Sequence, residues 1–101
     1  MNYERAKEHV SQVKDLADKH GYSLIVEVNL THDEFHVLAW DPNSPGRDTI
    51  YSRTVSLDDG KIFDLLNDTA CAIAKYAESK DAIIEYYRAK VEAYDKLHGR
   101  A

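Results

Sequence analysis

Apolar side chains recur at helical spacing over the first part of the chain. Their positions, at steps of three and four, are Tyr3, Ala6, Val10, Val13 and Ala17. This spacing places them on one face of an α-helix. Gly21 follows, and a glycine at this place is typical of a helix C-terminus. The pattern predicts an amphipathic helix over residues 3–20.

From Tyr22 the apolar spacing changes to two. Apolar and polar side chains alternate over 22–30, residues 35–40 carry apolar side chains on both faces, and residues 49–55 are rich in β-branched types. The polar segment 31–34 is short enough for a hairpin loop, and segment 41–48 contains both prolines. These three strands with short connections predict an antiparallel β-meander with one face against helices.

A long helix is predicted over residues 57–98, where helix-forming residues dominate and Ser56 is suited to cap the start. An apolar stripe with near-heptad spacing runs along it, interrupted only at Lys80. The stripe consists of Leu66, Ala70, Ile73, Ala77, Ile84, Tyr87, Val91 and Tyr94.

A single straight helix of this length would be about 63 Å long, whereas a globule of this size has a radius of gyration near 13 Å. Either the helix breaks near 78–81 and doubles back, or it is continuous or gently bent and a second copy covers its far half. Segment 78–81 lacks Gly, Pro and Asn, which favours the continuous helix. The expected contacts in a homodimer or higher oligomer are Tyr86, Tyr87, Val91 and Tyr94. These tyrosines have an alternative role in packing against their own domain.

Length and composition limit the class of protein. The chain has 101 residues, 44% of them hydrophobic and 31% charged, which predicts one globular α+β domain over 1–101. No apolar run reaches the roughly 18 to 20 residues of a membrane span, and the N-terminus lacks an apolar signal core. Cys71 is the only cysteine and cannot form an internal disulfide. We therefore expect a cytoplasmic protein without a membrane partner.

The net charge of −5 is concentrated in the middle of the chain. Residues 20–68 hold nine acidic side chains against Arg47, Arg53 and Lys61. A protein that binds duplex nucleic acid needs a basic stripe to neutralise phosphates, and this sequence has none. The acidic section predicts attraction to a basic surface, with a merely solvated exterior as the alternative.

Motifs for catalysis or metal binding do not occur in the sequence. His32 and His36 have the spacing of zinc-protease histidines, but aspartate rather than glutamate follows His32, and the segment is predicted as a hairpin. Cys71 lies among small apolar residues and is expected to be a core residue rather than a nucleophile. We expect a protein that is not an enzyme and holds neither metal nor cofactor.

Clustered carboxylates remain as candidates for recognition. Asp64 and Asp68 are four residues apart on the last helix. Further acids precede them on the chain and occupy segment 41–48, which we call the proline loop. Their chemistry suits an acidic recognition surface for a basic protein partner. The predicted partner-binding set is Asp41, Asp48, Asp58, Asp59, Asp64 and Asp68.

In size, acidity and element order, the chain resembles the small inhibitors that phages use against bacterial defences, anti-CRISPR proteins among them. The resemblance covers the whole chain but no motif. It implies a non-enzymatic blocker whose acidic surface occupies a basic, nucleic-acid-binding groove on its target in the host cytoplasm.

The rival interpretation is a homo-oligomer that sequesters a small anionic ligand such as a nucleotide signal. Arginine donates paired hydrogen bonds to phosphate, and aromatic faces stack on bases. The candidate ligand-binding residues are Trp40, Arg47, Arg53 and Arg88.

Overall fold

A computed structural model of the chain describes residues 3–97, except for the side chains at 3, 94, 95 and 97. Two helices and three strands follow in the predicted order, which confirms the α+β class and the long C-terminal helix. The elements are α1 (Tyr3–Lys19), β1 (Ser23–Asn29), β2 (Glu34–Trp40), β3 (Thr49–Ser56) and α2 (Asp59–Leu97).

The sheet is an antiparallel meander in the order β1-β2-β3. Phe35, Val37 and Ala39 on the central strand are buried, whereas Leu38 and Trp40, which point to the opposite face, are partly exposed. Alternating side chains of a strand lie on opposite faces, so both helices cover the same face of the sheet. Strand β2 therefore has apolar side chains on both faces, and the helices cover only one of these faces.

Helix α1 runs parallel to the first half of α2. The guanidinium of Arg5 lies 5.1 Å from the ring centre of Phe63, and the ring of Tyr22, just after α1, lies 5.2 Å from that of Tyr76. Between these points the helices and sheet enclose a core whose largest fully buried apolar side chains are Val13, Val37, Ile62, Leu65, Leu66 and Ile73.

Gly21 ends α1 as predicted, and its backbone is in the left-handed region with a φ of 75°. The N–H of Gly21 donates to the carbonyl of Asp18, and that of Tyr22 donates to Ala17, so the last turn closes on itself. A residue without Cβ accepts this conformation at little cost. The chain then enters β1 directly.

Helix α2 is continuous through 78–81 and extends beyond the domain, which confirms the continuous alternative. The radius of gyration is 18.4 Å and the longest dimension is 64 Å, well above the roughly 13 Å radius of a compact globule of this size. Every side chain from 81 to 93 is exposed. Neither helix within residues 3–97 combines the length and apolar character needed to cross a membrane.

Cys71 is exposed, and the expectation of a core cysteine is wrong. Its neighbours Ala70 and Ile73 belong to the stripe that faces the domain, but Cys71 lies about 160° around the helix from Ile73 at 100° per residue. Small apolar neighbours in sequence therefore misplaced this side chain.

Replacing Ile73 with alanine is expected to lower the free energy of unfolding by about 2 to 5 kcal/mol, because the fully buried side chain leaves a cavity. Leu30→Ala removes a side chain that is 74% exposed and is expected to change stability by less than about 0.5 kcal/mol. Urea unfolding followed by circular dichroism measures both. Equal effects of the two substitutions would contradict the position of the core.

Candidate interaction surface

The six predicted acidic residues do not form one surface, because the meander places them at opposite ends of the sheet. The turn from β1 to β2 and the end of β3 lie at one end of the strands, whereas loop 41–48 lies at the other end. Asp41 and Asp48 lie beside Tyr76, and Asp59 begins α2 seventeen residues earlier. That separation is about 25 Å along the helix.

Asp41 is buried and has an internal partner, so its prediction as an exposed partner-binding residue is wrong. Its side chain is 1% exposed. Tyr76 Oη donates to Asp41 Oδ2 at 2.9 Å, and Lys80 Nζ donates to the same oxygen. A buried carboxylate requires such partners, because unpaired burial of a charge is very unfavourable. We call Asp41, Tyr76 and Lys80 the loop–helix clasp.

The loop that carries Asp41 is closed by its own hydrogen bonds. Asp41 Oδ1 accepts from the backbone N–H of Asn43 at 3.0 Å, and the Ser44 hydroxyl donates to the Asp41 carbonyl at 3.1 Å. The backbone N–H of Asp48 donates to Ser44 Oγ at 2.7 Å. Aspartate and serine close turns in this way, so the loop presents Asp41 in a fixed position.

The clasp determines the direction of three pKa shifts. Burial by itself raises the pKa of Asp41, but hydrogen bonds from Lys80, Tyr76 and the Asn43 N–H outweigh burial and bring that pKa below its ordinary value. The Asp41 carboxylate raises the pKa of Lys80. Burial, followed by the hydrogen bond to Asp41, raises the pKa of Tyr76. Asp41 and Lys80 therefore stay ionised at neutral pH.

Four exposed acids meet at the end of the domain opposite the clasp. The N–H of Leu57 donates to the carbonyl of Asp33 at 2.9 Å, and Glu34 pairs with Ser56 in the sheet, so the β1–β2 turn lies beside the start of α2. Asp58 Oδ1 accepts from the N–H of Lys61 at 3.1 Å and caps this helix. We call this group the acidic pole: Asp33, Glu34, Asp58 and Asp59.

Asp64 and Asp68 lie near the acidic pole in a groove between β3 and α2. Arg53 Nη1 is 3.7 Å from Asp68 Oδ2, and Lys61 Nζ donates to Ser56 Oγ at 3.3 Å. The groove has a volume of about 720 Å³, and Arg53, Lys61, Asp64 and Asp68 contribute to its walls. Because two bases and two acids share its walls, the groove is mixed in charge.

Sequence reasoning missed Asp33 and Glu34. The meander itself contained the signal, because successive turns of a meander alternate between the two ends of its strands. The first turn and the end of the third strand must therefore lie together, and the proline loop must lie apart from them. The grouping by local acidity ignored this constraint.

The four residues proposed for an anionic ligand are not brought together within one chain. Trp40 and Arg53 project from opposite faces of the sheet, because Arg53 pairs with Val37 on the covered face. Arg47 lies in the proline loop at a positive φ of 49°. Arg88 pairs with Glu85 at 3.1 Å and lies about 30 Å along α2 from Asp68, the partner of Arg53.

The side chains expected to mediate self-association lie on the part of α2 that leaves the domain. Tyr86, Tyr87 and Val91 are exposed, at 58%, 61% and 60%. The side chain of Tyr94 lies outside the described residues. These tyrosines do not pack on their own domain, so the alternative role in the core is wrong for Tyr86 and Tyr87.

The histidines at zinc-protease spacing lie in separate environments. The backbone N–H of His32 donates to Asn29 Oδ1 at 3.1 Å in the β1–β2 turn, whereas His36 Nδ1 is 2.8 Å from Thr54 Oγ1 on the open face of the sheet. Among the side chains that the structure describes, no three of His, Cys, Asp or Glu are placed to hold a metal ion.

No protein-family model, curated protein or solved structure matches this chain.

The clasp predicts a pH-dependent effect of Asp41→Asn. The substitution keeps the shape and an acceptor for Tyr76 but removes the charge that holds Lys80, so we expect a loss of about 1 to 3 kcal/mol at pH 7. Because the pKa of Asp41 is lowered on folding, its carboxylate stabilises the fold above about pH 4 and loses this effect as the pH falls through the folded pKa. Urea unfolding at several pH values measures the difference between the two proteins.

That difference is expected to shrink as the pH falls from about 4 toward 2. Asp15→Asn is the matched control, because it removes an exposed carboxylate on α1 and leaves the clasp intact. A wild-type advantage over Asp41→Asn that stays constant across this pH range would contradict the ionic role of Asp41.

Proposed function

We propose that this protein is a non-enzymatic binding protein that places its acidic pole on a basic, nucleic-acid-binding surface of a protein partner and blocks it. Its action is that of a phage-type anti-defence inhibitor in the cytoplasm of a host cell. The observation that carries the proposal is the convergence of Asp33, Glu34, Asp58 and Asp59 from two separate segments at one exposed end of the domain.

Electrostatic steering supports this function. Opposite charges accelerate encounter and select partners by sign, and in about 0.1 M salt their influence extends about 10 Å. The acidic pole is far enough from the clasp, about 25 Å along α2, for its field to be local. A partner with clustered Lys and Arg would be attracted to this end of the molecule first.

A groove that binds nucleic acid suits the acidic pole as a partner. Such a groove uses Lys and Arg to contact phosphates. Carboxylates resemble phosphates in carrying negative charge and in accepting hydrogen bonds. The cap of α2 and the β1–β2 turn present carboxylates from backbone that is held by hydrogen bonds. A preorganised surface loses less conformational entropy on binding than a flexible acidic tail.

A panel of guide-loaded RNA-guided nucleases tests the proposal, with cleavage of target DNA measured at rising concentrations of the protein. The pole variant is Asp33→Asn, Glu34→Gln, Asp58→Asn and Asp59→Asn. Asparagine still caps a helix at 58 and accepts the positive φ of 56° at 33, so the fold is expected to persist. We expect the wild-type protein to inhibit cleavage and the pole variant to inhibit it about tenfold or more weakly. Added salt is expected to weaken inhibition by the wild-type protein.

The matched control removes the same amount of charge elsewhere, through Asp15→Asn, Glu78→Gln, Glu85→Gln and Glu92→Gln. It is expected to inhibit like the wild type, because steering depends on where the charge lies rather than on its total. Equal inhibition by the pole variant, or no inhibition of any nuclease in the panel, would overturn the proposal. Thermal stabilisation by mono-, di- or cyclic nucleotides would then favour the ligand-sequestering alternative.

A further inference from the structure

Strand β3 forms one edge of the sheet, so one side of its backbone has no strand beside it among the described residues. The N–H of Leu57 donates to the carbonyl of Asp33, the residue that the β2–β3 register places opposite it. Hydrogen-bonded and non-hydrogen-bonded pairs alternate along an antiparallel ladder. The backbone groups of alternate residues in β3 therefore face β2, and those of Ser52, Thr54 and Ser56 face outward.

The second half of this edge lacks the features that usually block a further strand. Native edge strands are often interrupted by a proline or a bulge. The bulge of this sheet lies at the start of β3, opposite Ala39 and Trp40. Segment 52–56 has neither a bulge nor a proline, and the side chain of Arg53 is turned onto the covered face, 3.7 Å from Asp68. The outward backbone of segment 52–56 can therefore accept another strand.

The groove of about 720 Å³ between β3 and α2 lies directly beside this edge. Strand β3 supplies one wall, and α2 supplies the other through side chains at steps of three and four, among them Lys61, Asp64 and Asp68. Leu65 is buried and Val55 half-buried, so apolar surface lies at the base of the groove. An extended segment paired with β3 would direct alternate side chains into it.

The charged side chains of the groove leave one carboxylate unpaired. Arg53 lies beside Asp68, and Lys61 donates to Ser56 Oγ. Asp64 is exposed and has neither a hydrogen-bond nor an ion-pair partner among the described residues. A Lys or Arg side chain that enters the groove would pack its aliphatic stem on the apolar base and place its charge beside this carboxylate.

The position of Asp64 along the groove determines which residue of an added strand it meets. Strand β3 runs toward the acidic pole, and α2 runs away from it. Asp64 lies midway between Lys61 and Asp68 on α2, which places it level with Val55 on the covered face. Residues opposite each other on neighbouring strands direct their side chains to the same face. The side chain opposite Val55 would therefore point toward Asp64.

Charge favours a different protein over a second copy as the source of this strand. Two copies would each bring a net charge of −5. The only basic side chain in β3 is Arg53, and Asp68 of the same chain already pairs with it. A basic segment of another protein would instead be attracted by the acidic section of this chain and would supply the cation that Asp64 lacks.

We propose that the outer edge of β3 binds an extended basic segment of a partner protein, which joins the sheet as a fourth strand antiparallel to β3. The outward backbone of Ser52 and Thr54 pairs with this strand, and its Lys or Arg opposite Val55 binds Asp64. In such strand addition, main-chain hydrogen bonds give affinity and pockets for alternate side chains give specificity. This surface is separate from the acidic pole, and the inference does not depend on the blocking of a nucleic-acid-binding site.

A labelled peptide of about seven residues, a typical strand length, tests the inference by fluorescence anisotropy. It alternates threonine and valine and carries lysine in place of the central valine. We expect it to bind the wild-type protein, and the same peptide with glutamate at the centre to bind about tenfold or more weakly, because like charges repel.

Methylation of peptide nitrogens tests strand addition on the unaltered protein. With lysine and valine directed into the groove, the N–H groups of the threonines face β3 and those of the valines face solvent. We expect N-methylation of the threonines to weaken binding about tenfold or more and N-methylation of the valines to leave it within about twofold. Equal effects of the two methylations would overturn the inference.

Two pairs of protein variants locate the contact. Thr54→Pro removes an outward N–H, which an edge strand tolerates, and is expected to abolish binding; Thr54→Val removes the same hydroxyl, keeps the N–H and is expected to bind like the wild type. Asp64→Asn is expected to weaken binding of the lysine peptide about fivefold, and Asp15→Asn, the matched loss of an exposed carboxylate on α1, to leave it unchanged. The near-ultraviolet circular dichroism of Trp40 reports whether each variant stays folded.

Three results would overturn the inference. The first is no binding of the lysine peptide, and the second is equal binding by Thr54→Pro and Thr54→Val. The third is a wild-type dimer in sedimentation velocity that Thr54→Pro dissociates, because a second copy would then occupy the edge. Loss of nuclease inhibition in the pole variant with peptide binding retained would separate this surface from the proposed function.

Discussion

The packing of the first half of α2 against α1 and the sheet is the interaction on which the rest of the structure depends. Leu66 and Ile73 supply much of this contact, and full burial of such side chains stabilises a fold by about 1.5 to 3 kcal/mol each. The sheet has three strands and one covered face, and α2 packs on β2 and β3 whereas α1 packs on β1, so the long helix supplies most of the cover. Removal of that contact would leave α1, packed on β1, as the only cover of the sheet.

The clasp adds a polar contact where the apolar core ends. Asp41 is held by Tyr76 and Lys80 from consecutive turns of α2, which joins the proline loop to the helix at one defined level. Such a buried pair adds little net stability relative to an apolar contact, but it penalises any arrangement that leaves the carboxylate unpaired. Its contribution is therefore to the position of the helix relative to the sheet.

Local sequence patterns predicted the helices and strands, whereas contacts between residues far apart in sequence determine which side chains are exposed at the candidate site. The period of two over 22–30 and the absence of helix-breaking residues at 78–81 were sufficient for the strands and for a continuous α2. The burial of Asp41 was not predictable, because it depends on Lys80, a residue 39 positions away. Lys80 appeared in the sequence as an interruption of an apolar stripe, when it is the partner of a buried charge. Cys71 was misplaced because small apolar neighbours do not fix the face of a helix that a side chain occupies.

The clasp also separates two parts of α2 that differ in how they tolerate inserted residues. Before Lys80, an inserted residue would rotate every later side chain by 100° and detach Asp41 from its partner. After Lys80, a whole added heptad would lengthen the projecting rod by about 10 Å and leave the domain as it is. The reach of this molecule is thus a quantity that evolution or an engineer could adjust in units of seven residues, independently of the folded end that carries it.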